Sequence, residues 1–218
     1  MAERYELIVF DWDGTLMDSA GAIVAAILAA CRDLGLPEPT PQRARHVIGL
    51  GLQDALAYAV PELPVSDYPR MVERYRHHFL SIDHELTLFP GAFEMVEVLA
   101  ERGHLLAVAT GKSRVGLDRA LRHTGLGHLF HASRCADECF SKPHPAMLEE
   151  LMDEFGVARE RTVMVGDTTH DLNMARNARV DAVGVSFGAH PKGELEALAP
   201  VALLDTPEAL AQWLAGNA

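Results

Sequence analysis

Two aspartates separated by one residue, Asp11 and Asp13, belong to the run DWDGT at residues 11–15. The apolar run at residues 5–10 precedes them and is typical of a strand buried on both faces of a parallel sheet. Two carboxylates directly after such a strand suit a hard cation such as Mg²⁺, which prefers oxygen ligands and offsets their mutual repulsion. An acidic turn uses the same residue types, so the pair indicates a metal site only together with other elements.

Thr110, Gly111 and Lys142 are candidates for binding a phosphate group. Thr110 and Gly111 follow the apolar run at residues 105–109, and a hydroxyl beside a close backbone N–H is what a phosphate oxygen requires. Lys142 precedes Pro143, and proline is favoured in the first turn of a helix, so we expect this lysine at a positively polarised helix start. Taken alone, Thr110 and Gly111 also fit a plain turn, and Lys142 also fits a surface lysine.

The fourth polar element is the run GDTTHD at residues 166–171, which follows the apolar run at residues 162–165. Asp167 lies at the end of that predicted strand, much as Asp11 lies at the end of the first one. Asp171 falls in the first turn of the next predicted helix, where it would cap the helix or hold a metal-bound water. Because the carboxyl ends of parallel strands share one edge of a sheet, we expect the four elements to meet in one crevice.

Short apolar runs alternate with helical patterns over most of the chain. Strands that alternate with helices predict an α/β fold with a doubly wound, mainly parallel sheet. The predicted strands cover residues 5–10, 105–109, 129–132, 162–165, 182–185 and 201–204, and the predicted helices cover residues 92–102, 114–124, 143–155, 171–178 and 207–214.

Residues 18–84 interrupt this alternation, because they contain helical patterns and no convincing strand. Apolar residues recur at helical spacing on both sides of Thr40-Pro41, a pair that is typical of a helix start. We therefore predict a core of residues 1–17 and 85–218, with a small all-helical cap at residues 18–84. An insertion after the first strand stands above the carboxyl edge of the sheet, where open α/β folds bind ligands.

The charge of the chain argues against polyanionic partners. It has 19 Lys and Arg against 31 Asp and Glu, which gives a formal net charge of −12 with neutral histidines. With no strongly basic stretch, we expect no binding to nucleic acid or to a membrane surface. The three cysteines fit no zinc pattern and the N-terminus lacks the order of a signal peptide, so we predict a cytoplasmic protein. Separately, we expect the protein to be a monomer or a weak dimer.

Together, DWDGT, the strand-terminal Thr110, the Lys142-Pro143 pair and GDTTHD resemble the four motifs of the haloacid dehalogenase superfamily. The resemblance extends over nearly the whole chain, is greatest to the phosphoglycolate phosphatase-like group, and includes the small helical cap of that superfamily. It implies a Mg²⁺-dependent phosphatase that hydrolyses a small phosphomonoester through an aspartyl-phosphate. A phosphoglycolate-like acid, a sugar phosphate, a nucleotide and pyrophosphate all remain open as the substrate.

The same resemblance implies a role for each site residue. Asp11 would be the nucleophile, and Asp13 the general acid and base, with its backbone carbonyl on the Mg²⁺ ion. Lys142 would steady both Asp11 and the phosphoryl group. The other implied site residues are Thr110 and Gly111 for the phosphoryl oxygens, Asp11 and Asp167 as metal ligands, and Asp171 in support of Asp167.

Two positions depart from the pattern of this superfamily. Many relatives have Asn after the Thr or Ser of the second motif, whereas this chain has Gly111, so a side-chain contact is lost. Relatives also tend to place Gly after the helix that follows the fourth motif, where this chain has Arg179. In the insertion, Arg45 and His46 lie near the glycines of residues 49–51 and are weighed as substrate contacts, against the alternative of surface residues.

Two other functions stay open at this point. A phosphomutase of the same superfamily also keeps Asp11 and Asp13, but it often differs at the position of Thr15. A non-catalytic receiver-type module also carries phosphate on an aspartate of a doubly wound sheet, but it needs no insertion like residues 18–84. Catalytic turnover of a generic aryl phosphate with Mg²⁺ would separate an enzyme from such a module.

Overall fold

A computed structural model describes residues 4–218 of the chain. Its strands form one sheet in the order β3-β2-β1-β4-β5-β6, and every neighbouring pair is parallel. This is the strand order of a doubly wound α/β sheet, which confirms the predicted fold class. The strands are β1 (Leu7–Phe10), β2 (Leu105–Thr110), β3 (Ala132–Cys135), β4 (Thr162–Gly166), β5 (Asp181–Val185) and β6 (Ala202–Leu204). The helices are α1 (Ala20–Asp33), α2 (Pro41–His46), α3 (Leu52–Ala59), α4 (Tyr68–Ile82), α5 (Ala92–Glu101), α6 (Arg114–Thr124), α7 (Ala146–Phe155), α8 (Thr169–Ala178), α9 (Lys192–Glu196) and α10 (Pro207–Asn217).

The sheet is buried between two apolar layers, and β1 shows how. Ile8 and Phe10 belong to a cluster with α5, α6 and α10, whereas Leu7 and Val9 belong to a cluster with α7 and α8. Successive side chains of a strand point to opposite faces, so one strand contributes to both layers. Because β1 lies between β2 and β4, its carboxyl end, where Asp11 follows, is enclosed on both sides.

Helices α1 to α4 follow β1 and precede α5 in the chain. They share an apolar cluster, whose buried members include Ile27 and Met71. The two segments that connect them to the sheet pair with each other through an antiparallel bridge between Met17 and Leu88. We call residues 18–84 the helical insertion. Its division from the core as a separate cap stays a prediction.

The third strand lies further along the chain than the sequence predicts. It begins at Ala132 rather than at residue 129, because Leu129 and Phe130 pack against the core before the chain enters the sheet. As the edge strand of the sheet, β3 also carries the half-buried Ser133 and Arg134, which give no apolar signal.

Several helices are short. Helix α9 has 5 residues, little more than one turn, and so shows no periodicity from which it could be predicted. The longest helix, α4, has 15 residues. None of the helices between residues 4 and 218 has the length and apolar character that crossing a membrane requires.

Candidate active site

The polar elements of the sequence meet at the carboxyl edge of the sheet, as predicted. Lys142 lies among them, with its Nζ atom 2.6 Å from Asp11 Oδ1 and 2.7 Å from Asp171 Oδ1. Carboxylate oxygens of Asp11, Asp167 and Asp171 lie within 4.8 Å of one another. All four side chains are buried. A cluster of three carboxylates around one ammonium group therefore lies beneath the helical insertion.

The turn after β1 places Asp11 beside Asp167. Parallel pairing continues for one residue beyond β1, because the Asp11 N–H donates to the carbonyl oxygen of Val165 over 2.9 Å. Gly14 then adopts a φ of 86°, in the left-handed region that favours glycine. A Cβ atom at this position would also collide with the carboxylate of Asp167. Glycine is therefore required here both by the backbone and by the neighbouring carboxylate.

Two donors that the sequence analysis missed hold the carboxylate of Asp167. The Thr15 hydroxyl donates to Oδ1 over 2.9 Å, and the Ala189 N–H donates to Oδ2 over 2.6 Å. Thr15 belongs to the DWDGT run, which was the available signal for it. Ala189 comes from the loop after β5, and nothing in its local sequence marks it as a site residue.

Asp171 caps a helix and binds Lys142 at the same time. Its Oδ2 accepts hydrogen bonds from the Thr168 N–H over 3.0 Å and from the Thr168 hydroxyl over 2.6 Å. Thr168 Oγ1 in turn accepts from the Asp171 N–H over 3.3 Å, which completes a capping box at the start of α8. Its Oδ1 faces Lys142. Within residues 4–218 no hydrogen bond joins Asp171 to Asp167, and its implied support of Asp167 stays a prediction.

Asp13 lies at the boundary between the sheet and the helical insertion. Its Oδ1 accepts a hydrogen bond from the Ser19 hydroxyl over 2.7 Å and lies 2.9 Å from Lys112 Nζ. The same ammonium group lies 5.0 Å from the ring centroid of Phe79 on α4, within the range of a cation–π contact. Neither Ser19 nor Lys112 is among the site residues that the sequence predicts. For Lys112 a signal existed, since it directly follows Thr110 and Gly111.

The expected helix start at Pro143 is wrong, because α7 begins at Ala146. Pro145 disfavours helical geometry at the residue before it, His144. The His144 N–H instead donates to the carbonyl oxygen of Ser141 over 3.0 Å and closes a turn. Lys142 is therefore placed by the carboxylates that it contacts and not by the positive end of a helix.

Burial dominates the electrostatics of these groups. Burial raises the pKa of Asp11 to about 7; Lys142 opposes this shift, and the neighbouring Asp171 and Asp13 add to it. Burial, followed by repulsion from Asp11 and Asp171, also raises the pKa of Asp167 well above its ordinary range. Burial by itself would lower the pKa of Lys142, but attraction to Asp11 and Asp171 outweighs it, so the pKa is raised and the lysine stays charged.

The cluster fits a Mg²⁺ ion. Asp11 Oδ2 is buried and has no hydrogen-bond partner among the described residues. In their ionised forms, the three buried carboxylates exceed the single positive charge of Lys142, and a divalent cation with oxygen ligands would balance the excess. The oxygens available to such an ion belong to Asp11 and Asp167, together with the expected backbone carbonyl of Asp13.

Thr110 ends β2, the neighbour of β1, so its hydroxyl lies at the same edge of the sheet as Asp11. Its Oγ1 accepts a hydrogen bond from the Lys112 N–H over 3.2 Å, which leaves the hydroxyl hydrogen available to donate elsewhere. Gly111 follows and faces the helical insertion. That these two residues hold phosphoryl oxygens stays a prediction.

A cavity of about 960 Å³ opens between the edge of the sheet and the helical insertion. Trp12, Asp13 and Lys112 line it on the side of the sheet, and Tyr75 and Phe79 line it on the side of the insertion. The rings of Tyr75 and Phe79 stack, with centroids 5.8 Å apart and planes inclined by 17°. The cavity therefore joins the proposed acid and base to a wall with aromatic side chains.

Arg45 and His46, weighed as substrate contacts, line a different cavity of about 650 Å³. The backbone carbonyl oxygen of His46 lies 2.7 Å from His170 Nε2 and 3.1 Å from His190 Nε2, which ties α2 to the core. Burial lowers the pKa of His170, and it lowers the pKa of His190 to about 4, so both rings are neutral at pH 7. These histidines join the insertion to the core, and none of them lines the larger cavity.

Comparison with known proteins agrees with this architecture. A family model described as haloacid dehalogenase-like hydrolase matches residues 8–185. The chain is 37% identical to the probable phosphatase IndB of Dickeya dadantii (strain 3937), across 92% of this chain and 89% of that protein. It is 34% identical to a 5'-nucleotidase of Pseudomonas aeruginosa, across 91% of this chain and 90% of that protein. The crystal structure of a predicted phosphoglycolate phosphatase from Haemophilus somnus 129PT superimposes with a TM-score of 0.86 at 25% identity, over 100% of both chains.

Proposed function

Because this chain belongs to the haloacid dehalogenase-like hydrolases, we propose that it is a Mg²⁺-dependent phosphatase that hydrolyses a small phosphomonoester through an aspartyl-phosphate. The observation that carries the proposal concerns Asp11. Lys142 Nζ holds one of its oxygens at 2.6 Å, while Oδ2 is buried without a hydrogen-bond partner among residues 4–218. A carboxylate that is oriented on one side and open on the other is arranged as a nucleophile.

In the first step, one oxygen of the Asp11 carboxylate attacks the phosphorus atom, and the bond between phosphorus and the ester oxygen breaks. Lys142 lies against Asp11 and lowers the repulsion between this carboxylate and the anionic phosphoryl group. The departing oxygen takes a proton from Asp13, whose carboxyl group is fixed by Ser19 and Lys112. The step releases the alcohol and leaves an aspartyl-phosphate.

In the second step, a water molecule attacks the phosphorus atom of the aspartyl-phosphate, and the ionised Asp13 accepts a proton from it. The bond between phosphorus and Asp11 breaks, which releases inorganic phosphate and restores the carboxylate. Two steps with low barriers thereby replace one difficult displacement. A Mg²⁺ ion held by Asp11, Asp167 and the Asp13 carbonyl would supply positive charge to the phosphoryl oxygens. The hydroxyl of Thr110 and the backbone N–H of Gly111 would bind those oxygens as well.

The cavity favours a leaving group with a planar or apolar part. Its volume of about 960 Å³ is that of a site for a drug-sized ligand and exceeds what a glycolate group fills. Lys112 is already paired with Asp13, so a glycolate carboxylate would compete for it. A nucleobase could instead pack against Tyr75 and Phe79. Among the substrates that the sequence leaves open, a nucleotide fits this wall best. We also propose that the enzyme acts in the cytoplasm.

A screen for phosphate release in the presence of Mg²⁺ tests the proposal. The panel includes 2-phosphoglycolate, hexose phosphates, nucleoside 5'-monophosphates and p-nitrophenyl phosphate, with the Asp11→Asn variant as the control for contaminating phosphatases. We expect turnover by the unaltered enzyme and a higher kcat/KM for nucleotides than for 2-phosphoglycolate. Isomerisation of a hexose phosphate without release of phosphate would indicate a phosphomutase. No catalytic turnover of any phosphomonoester by folded protein would contradict the proposed function.

A further inference from the structure

The loop between α2 and α3, residues 47–51, lies directly on the phosphate-binding turn at Gly111. A Cβ atom added at Gly111 would lie 2.6 Å from the carbonyl oxygen of Gly49 and 2.6 Å from that of Leu50. Both neighbours are backbone atoms, which cannot rotate away as the end of a side chain can. The φ angle of Gly111 is outside the left-handed region that favours glycine, so φ does not require glycine here. Space under the loop is therefore what requires glycine at this position.

The same loop is fixed to the core at a second point. The Gly51 N–H donates a hydrogen bond to the Ser141 hydroxyl over 2.7 Å. Ser141 directly precedes Lys142, and Gly111 directly follows Thr110, so each contact of the loop lies next to a proposed site residue. Asp11 and Lys142 are both buried under this arrangement, and water is excluded from them.

We propose that Gly111 is a specificity-determining position: because it carries no side chain, residues 47–51 can close directly over the phosphate-binding turn. A side chain at position 111, such as the Asn of many relatives, would keep the loop away. A non-bonded carbon atom needs about 3.5 Å, so the loop would have to withdraw by roughly 1 Å. A withdrawal of that size breaks the hydrogen bond between Gly51 and Ser141, because a donor and acceptor separated by much more than 3.2 Å hardly interact.

The kinetic part of this inference rests on the proposed function. Leaving groups that extend into the cavity depend on the insertion being closed, whereas acetyl phosphate is small and has a reactive leaving group. The Gly111→Ala variant is expected to lose about 10- to 100-fold in kcat/KM for the best phosphomonoester, since a misplacement of about 1 Å can cost about 10²-fold. Its loss for acetyl phosphate is expected to be smaller. The order of preference among the substrates therefore changes.

Hydrogen exchange tests the loop without reference to catalysis. Exchange of the Gly51 amide is measured for the full-length protein with Mg²⁺ and inorganic phosphate as the probe ligand. We expect slow exchange in the unaltered protein and faster exchange in Gly111→Ala. The matched control is Gly21→Ala in α1, where an added Cβ meets nothing within 4 Å, and it should change neither exchange nor substrate preference.

A double-mutant cycle separates loop closure from local damage at Thr110. Ser141→Ala removes the acceptor of the Gly51 N–H, and it should speed the exchange of this amide in the unaltered background. In the Gly111→Ala background the same change should add little, because the loop has already withdrawn. Additive effects, or an equal loss for all substrates with unchanged exchange of Gly51, would overturn the inference. If no variant or parent releases phosphate, the proposed function fails, while the exchange experiment still decides whether Gly111 controls the loop.

Discussion

Removing the buried ammonium group with Lys142→Met should destabilise the folded protein more than removing an ammonium group from an ion pair at the surface. The change leaves Asp11 and Asp171, now 2.6 and 2.7 Å from the ammonium nitrogen, without a counter-charge in a region without solvent. Breaking a buried ion pair by removing one partner costs about 3–5 kcal/mol. For a chain of this size, each kcal/mol lowers the melting temperature by about 2–4 °C, so we expect a decrease of about 6–20 °C.

The pH dependence of this loss identifies its cause. Burial raises the folded-state pKa of Asp11 to about 7 from the ordinary value of 3.8, so the folded state binds a proton more tightly than the unfolded state does. The contribution of Asp11 to stability therefore falls as the pH rises from about 4 to about 7. Lys142 opposes this shift, and its removal raises the pKa further. In chelator, Lys142→Met should be strongly destabilised at pH 8 and much less so at pH 5, where Asp11 takes up a proton.

The assay is thermal unfolding followed by circular dichroism at both pH values, with and without Mg²⁺. The matched control is Lys192→Met, which breaks an exposed pair of the same length, 2.7 Å to Asp205, and should hardly change the melting temperature. Added Mg²⁺ should restore part of the stability of Lys142→Met at pH 8. Equal melting temperatures for the two variants at pH 8, or the same loss at pH 5 and pH 8, would refute the assignment of Lys142 as counter-charge to the buried carboxylates.

Three further outcomes are expected. Asp11→Asn should abolish turnover. Asp13→Asn should bind Mg²⁺ with similar affinity, measured by calorimetry, but its rate on an alkyl phosphate should fall by about 10²–10⁴-fold. Loss of metal binding by Asp13→Asn would show that its side chain is a ligand. Chelation should abolish phosphate release and Ca²⁺ should restore it poorly, because Ca²⁺ takes more ligands at longer distances; full activity in excess chelator would exclude the metal. Arg179→Gly should raise the melting temperature by about 2–4 °C, since Arg179 has a φ of 60° and a left-handed residue other than glycine costs about 1 kcal/mol. The reverse change, Gly125→Ala at a φ of 74°, should lower the melting temperature. A decrease for Arg179→Gly would mean that the Arg179 side chain makes a stabilising contact.

The strands and the polar residues that follow them could be predicted from the sequence because both signals are local. The runs that form β1 and β4 are buried on both faces, and Asp11 and Asp167 directly follow these strands, so the two aspartates are marked by position as well as by type. Arg179, at a position after a helix where relatives tend to have Gly, is left-handed with a φ of 60°. One local rule failed at Pro143, since the second proline two residues later moved the helix start to Ala146.

Contacts between distant segments could not be predicted in this way. Lys112 meets Asp13 and Phe79 only because the end of β2, the turn after β1 and helix α4 converge. Ala189 donates to Asp167 through its backbone, and every residue except proline has that N–H group. Residue type therefore carried no information about Ala189, and the contacts that Lys112 makes are revealed only by the folded chain.

Gly111, where many relatives have Asn, shows that a missing side chain can indicate a close contact between two segments. The sequence marks the missing Asn as a lost contact to the phosphoryl group, and this interpretation concerns the core alone. In the structure the vacated space is filled by the backbone of Gly49 and Leu50, which are about 60 residues away in the chain. Every residue has a backbone carbonyl group, so the residue types at positions 49 and 50 do not predict this contact. In the sequence, the close approach is indicated only by the glycine at position 111. The wall over the site is thus built partly from groups common to all residues, which is why the motifs predict phosphate chemistry but do not name the substrate.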